Sequence, residues 1–387
     1  MFGIASAINR HGIDSSLNTQ DVVFRSFKVK IDLCRVYPVI LAIFSLFVGC
    51  SHTYAQTGSA AAVSSQTRQD NQLTRQVQDS NPNALKKDQT EEAMTAKPLS
   101  QDMGEVEIMT EETSNPWFFA TVDCQAFYNS NVLYANSPYL KFGAWQIITT
   151  PEIGFSPTIK DEQFAMFFPR AGFRYQFFTY AQAEPPPSGT AYESSGISAN
   201  NFTVTNPYIS LGWAFSDVLF VSFSADANVY MGIGRDTDAW SNFLDEYPLA
   251  WTATWFHSLA DWNSVSITGR ASYVLANPSN FERTDNNLTF SWSTNPIKEL
   301  STQLYASFRL AKYTGTQLTG GPNDFPNDDR LDFQQTYGLS VTWTPVEYVS
   351  LRAFTSFTKS SSSVNVEETG DYEAYNAGTG INLIYRF

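Results

Sequence analysis

Residues 381–387 read INLIYRF, and their alternation decides the fold. Ile381, Leu383, Tyr385 and Phe387 fall on one side of a period of two. Asn382 and Arg386, continued backwards by Gly380 and Gly378, fall on the other, where Ile384 is the apolar exception. A period of two is what a β-strand shows when its two faces meet different surroundings. Chain termini fray in water unless tied down, so apolar alternation as far as Phe387 predicts that something apolar receives this face. A lipid bilayer is one such receiver.

The chain has 387 residues, a formal charge of −14 and 15% aromatic residues, among them 30 Phe, 19 Tyr and 9 Trp. That balance lacks the basic excess that nucleic-acid binding requires. After about residue 60 the apolar residues come mostly as alternating singles. Strands with two unlike faces give that pattern, and continuous core runs do not.

The run from Val39 to Val48, preceded by Lys28, Lys30 and Arg35 and followed by SHTYAQ, is too short for a helix across a bilayer, which takes about 20 residues. It reads as a secretory signal cleaved after Ala55, with an over-long start. The FVGC stretch ending at Cys50 resembles the lipobox of bacterial lipoproteins, with Phe47 where that family has Leu, so lipidation at Cys50 stands as an alternative. Cys34 lies in the signal and Cys124 has at most Cys50 for company, which leaves no disulfide framework. Residues 56–115 contain no Trp, Phe or Tyr and no sustained period. They read as a disordered periplasmic linker, because so little apolar area does not offset the entropy of ordering.

From 116 to 387 twelve strands are predicted, at about 117–128, 145–156, 163–180, 203–215, 219–232, 249–257, 263–275, 284–294, 300–313, 332–344, 349–359 and 374–387. Short connections (TIKDE, SDV, SLADW, NPIKE, PVEY) alternate with longer, mostly polar ones such as NVLYANSPYLKFG and TGTQLTGGPNDFPNDDR. An up-and-down antiparallel sheet puts successive connections at opposite ends, so one end carries turns and the other loops. Tyr337, Leu339, Val341 and Trp343 alternate with Gly338, Ser340 and Thr342, and Leu288, Phe290 and Trp292 with Thr289 and Ser291. A soluble sandwich would turn the apolar set inward and put Lys or Glu outside. Charged residues are only 16% of the chain and gather in the connections, so the apolar face is read as outward, against lipid.

With this hairpin rhythm and the terminal Ile381, Leu383, Tyr385 and Phe387 row, the chain resembles the bacterial outer-membrane β-barrel proteins of the porin-like superfamily. The resemblance covers 116–387 in architecture and is motif-specific only in the last strand. It implies an all-β, transmembrane, antiparallel up-and-down barrel of about twelve strands. It further implies outer-membrane location with lipid as the surrounding partner and a C-terminal row similar to the signal read by the barrel assembly machinery, and the barrel is expected to be a monomer.

If the apolar set faces lipid, the inward set holds Arg170, Arg174, Arg270, Arg309, Arg352 and Arg386, with the acids Asp123, Glu152 and Asp226. The arginines and acids come from different strands. Charge segregated across the lumen would favour anions, but in so narrow a barrel the inward charges are expected first to pair and fill the interior, with a selectivity role as the alternative. Outer-membrane phospholipase A, a twelve-stranded barrel with a His and Ser pair, is the enzyme to weigh. His257 lacks its His-x-Ser spacing and falls at a turn, so no enzymatic activity is expected. Asp236, Asp238, Asp245 and Glu246, and Asp324, Asp328 and Asp329, gather in two loops that could hold Ca²⁺. They lack the EF-hand spacing and read as solvated acids, and no cofactor or metal is expected. Functionally, a channel for small, possibly anionic solutes leads. An anchor or adhesin displaying acidic loops is the alternative, and an autotransporter-like translocator comes third because 56–115 is too short and featureless for a folded passenger.

Overall fold

The computed structural model describes Arg68 and residues 117–137, 140–157, 159–160, 166–186, 188, 193, 196–216, 218–233, 240–260, 262–314, 330–346, 348–363 and 371–387. The expected signal 1–55 with Cys50, all of 56–115 except Arg68, and Asp236, Asp238, Asp324, Asp328 and Asp329 lie outside them.

The strands are β1 (Phe118–Asn129), β2 (Ala144–Phe155), β3 (Ile159–Lys160), β4 (Met166–Gln182), β5 (Phe202–Ser216), β6 (Leu219–Asp226), β7 (Asn228–Ile233), β8 (Trp240–Ala260), β9 (Asn263–Asn277), β10 (Arg283–Ile297), β11 (Leu300–Tyr313), β12 (Leu331–Val346), β13 (Val349–Ser362) and β14 (Tyr372–Arg386). They form one antiparallel sheet that closes on itself through β1 and β14. Twelve staves make the ring. β3 is a two-residue extension on β4, while β6 and β7 keep one register against β5 and form a single stave. Their break at Ala227 falls opposite Pro207, which has no N–H to give the ladder; the Ala227 N–H still donates to the Pro207 carbonyl at 3.0 Å.

The predicted twelve-strand barrel is therefore the observed one, with one correction of extent. The strand expected at 249–257 is β8, which begins at Trp240. Pro248 and the acids before it read as a loop, yet Pro248 sits in register opposite Val274 of β9 and Glu246 opposite Ala276.

Outward faces are apolar and exposed. Trp251 is 57% accessible, Trp343 48% and Phe290 42%, and in the last strand Ile381, Leu383, Tyr385 and Phe387 all point out. Each such side chain moved from water into hydrocarbon gains about 1.5–3 kcal/mol. A closed barrel leaves no unpaired edge for the lipid to meet. His257 is also outward, its ring stacked on Trp255 at 5.6 Å.

Inward faces carry glycines and hydroxyls against rings. A side chain at Gly338 would meet the Tyr305 ring at 2.3 Å, so the absent Cβ is what lets that ring lie against β12. At the loop end, Val132, Leu133, Tyr134 and Ala135 fold inward instead of standing in solvent. Asn131 clamps them: its Nδ2 donates to the Ala135 carbonyl at 2.9 Å and its Oδ1 accepts from the Ala135 N–H at 3.1 Å. Tyr134, at φ 52°, packs edge-on against Tyr372 at 5.1 Å.

Candidate functional site: the barrel lumen

Alternation fixes which residues line the lumen, and register fixes their level. All nine charged residues assigned inward from the sequence lie on the inward face. On the wall from β2 to β7 they form the lowest of three levels, towards the short turns. Register puts Glu152 opposite Arg174. Arg174 Nε donates to Glu152 Oε2 at 2.9 Å, Arg170 Nη2 donates to Oε1 at 2.7 Å, and the Tyr208 hydroxyl also donates to Oε1. The Arg174 guanidinium lies 4.1 Å from the centre of the Tyr208 ring and that of Arg170 lies 4.6 Å from Phe119. Arg386 stands at the turn-end mouth opposite Phe119.

The middle level is made of amides and hydroxyls: Thr150, Gln176, Asn206 and Asn228, all buried. Arg68 reaches this level from the stretch read as a linker. Asp226, just below, accepts from Asn206 Nδ2 at 3.5 Å. The top level is apolar: Ile148, Phe178, Val204, Phe202, Tyr230 and Leu244 pack with the inward-folded Val132 and Leu133 and with Ile197 and Phe281 from the loops. Phe178 and Phe202 stack at 4.3 Å. This layer fills the loop end along β1 to β9. The sequence showed it only as the VLY run inside a connection read as polar.

The facing wall carries a charge relay near the loop end. Tyr230 donates to Glu246 at 2.6 Å, Arg283 bridges Glu246 at 2.8 Å and Asp285 at 2.9 Å, and Arg309 Nε reaches Asp285 at 2.7 Å and its Nη1 reaches Gln334 at 3.2 Å. Arg330 and Asp332 pair alongside at 2.7 Å. Glu246, expected among the solvated acids of a loop, is thus a buried member of this relay. Asp245 lies on the opposite face of β8, bound by Asn242 at 3.0 Å. Asp285, Arg283, Asp332 and Arg330 were not singled out from the sequence, because each sits at a strand end that polar connections flank.

Inward charges from different strands pair. Glu152 is shared by two arginines, and Arg352 bonds Gln125 at 2.9 Å and lies 3.8 Å from Asp123. Arg270 differs. On β9, opposite Thr252 and Asn287, it makes no ion pair or hydrogen bond among the described residues, and its Nε is buried without a partner. Below it the wall is lined by hydroxyls that bond across strands: Thr254 with Thr268 at 3.1 Å, Ser266 with Ser291 at 2.6 Å and Thr289 with Ser307 at 2.9 Å.

No protein-family model and no curated protein sequence matches the chain. Among solved structures it is similar to an outer membrane channel from Pseudomonas putida F1, at 8% identity and TM-score 0.45, over 73% of this chain and all of that one. It is also similar to the β domain of the Bordetella autotransporter BrkA, at 9% identity and TM-score 0.40, over 70% of this chain and 100% of that one. LpxR from Salmonella typhimurium follows at 9% identity and TM-score 0.40, over 68% of this chain and 99% of that one. At such identities and TM-scores the likeness bears on the fold alone and carries no argument about activity.

Proposed function

We propose that the protein is an outer-membrane channel, and not an enzyme, whose lumen favours small anionic solutes. The observation that carries this reading is Arg270: a lumen arginine with no ion pair among the described residues, above a wall of Ser and Thr hydroxyls. The chain as a whole carries −14, yet the charged lumen residues described are nine arginines (68, 170, 174, 270, 283, 309, 330, 352 and 386) against six carboxylates (123, 152, 226, 246, 285 and 332). Rings of arginine favour anions in a pore. Export through the signal at 1–55, and reading of Ile381, Leu383, Tyr385 and Phe387 by the assembly machinery, belong to the same proposal. Ion selectivity in planar bilayers tests it, with Arg270→Ser as the decisive variant.

A second reading rests on the apolar layer at the loop end. If Val132, Phe202, Tyr230 and Phe281 close the lumen permanently, the barrel is an anchor displaying its loops, and the lumen arginines are interior packing. Absence of conductance at every voltage decides for that reading.

A further inference from the structure

Arg68 lies far upstream of β1 in sequence and inside the barrel in space, 3% exposed. Its Nε donates to Gln176 Oε1 of β4 at 3.2 Å and its Nη2 donates to Asn228 Oδ1 of β7 at 2.5 Å. The acceptors stand on different staves and are themselves held in place. Asn228 Oδ1 also accepts from Asn206 Nδ2 at 2.7 Å, and Gln176 Nε2 is turned to Thr150 Oγ1 at 3.5 Å. With both carbonyl oxygens aimed into the lumen, Asn228 Nδ2 is left buried and without a partner among the described residues. That orientation leaves a buried amide N–H group unsatisfied, which is unfavourable, and turns the oxygen to Arg68 as well as to Asn206. The Tyr230 ring closes the pocket 5.8 Å from the guanidinium carbon. Tyr230 in turn bonds Glu246, whose charge Arg283 already offsets.

We propose that Gln176 and Asn228 form a built receptor for a planar, forked cation, a guanidinium group, and that Arg68 of this same chain is its resident ligand. The receptor selects guanidinium over ammonium. Two donors fixed in one plane reach two acceptors across the pocket, and the planar group meets an aromatic ring, which a compact ammonium does with less precise geometry. Arg68 itself is thereby held in the lumen at the level between the Glu152 cluster and the apolar layer. This holds whether or not the barrel conducts, and so stands apart from the channel reading.

The test uses the full chain refolded in detergent micelles, with folding checked by heat-modifiable gel migration. Phenylglyoxal modification of Arg68, read by mass spectrometry, is expected to be slower by at least about tenfold than in the urea-unfolded chain. Protection should fall in the Gln176→Ala/Asn228→Ala variant and persist in Thr336→Ala on the facing wall. Modification of Arg68 at the unfolded rate, or protection indifferent to the loss of both amides, overturns the proposal. Should the double variant not fold, Arg68→Ala replaces it. Millimolar guanidinium is expected to raise the melting temperature of that variant and not of the parent chain, while tetramethylammonium raises neither. An equal response of parent and variant to guanidinium overturns the proposal equally.

Discussion

Phe118 and Phe387 exchange both backbone hydrogen bonds, Phe118 N–H to the Phe387 carbonyl at 3.1 Å and Phe387 N–H to the Phe118 carbonyl at 2.9 Å, with their rings stacked at 6.1 Å. The final residue is thus a rung of the seam that closes the barrel. Deleting Phe387 should lower the stability of the refolded barrel by about 1–3 kcal/mol, the value of one interfacial aromatic. It should lower the amount assembled in cells much further, if the aromatic row is read during assembly. Quantifying the protein in outer-membrane fractions checks this, and unchanged levels contradict the assembly role.

The same seam depends on Gly378. A Cβ there would stand 2.3 Å from the Ala126 carbonyl oxygen and 2.5 Å from Phe127 Cα, both backbone atoms that have no rotamer to escape into. Gly378→Val should therefore block closure of β14 on β1 and abolish heat-modifiable migration. Gly269→Ala, where a Cβ meets nothing within 4 Å, should migrate as the parent does.

Removing Glu246 leaves the buried Arg283 with Asp285 as its remaining carboxylate among the described residues, itself shared with Arg309. Breaking a buried pair by deleting one partner costs about 3–5 kcal/mol. Glu246→Ala should show that loss in urea unfolding, while Lys359→Ala, which breaks an exposed pair with Glu373, should leave the urea midpoint close to that of the parent. Equal midpoints for the two variants would contradict the relay.

Glu184, at the loop end, accepts from the Tyr128 hydroxyl at 2.6 Å and from the Gly143 N–H at 2.8 Å, tying the connection after β1 to the one after β4. The Tyr128 bond first, and the Gly143 bond second, hold its carboxyl below the ordinary range. A lowered carboxylate contributes stability that is complete above its unfolded value of about 4.3 and is lost as pH falls through the lower folded value. The Gly143 amide resonance should titrate with a midpoint below that of a free glutamate, and the titration should vanish in Glu184→Gln. A midpoint at or above the free value contradicts the bond.

The barrel was legible because lipid outside and water or small polar groups inside impose one alternation on every stave. That made the direction of Ile381 to Phe387, and of all nine charged candidates, readable without partners. What alternation does not carry is register, which brings Glu152 between Arg170 and Arg174 and so decides which inward charges pair. Glu246 was misread because Pro248 and neighbouring acids signal a loop in isolation, whereas in the ring the proline sits where the adjoining stave is itself interrupted. Arg68 was invisible for a different reason. Its partners, Gln176 and Asn228, are more than a hundred residues away, |i−j| of 108 and 160, and no local pattern marks it.

The most direct measurement is the reversal potential of the purified barrel in a planar bilayer under a KCl gradient. The account predicts conductance with chloride preferred over potassium. That preference should collapse in Arg270→Ser and be largely kept in Arg352→Ser, whose arginine is already bound to Gln125. A barrel that conducts at no voltage, or whose selectivity is indifferent to Arg270, would contradict it.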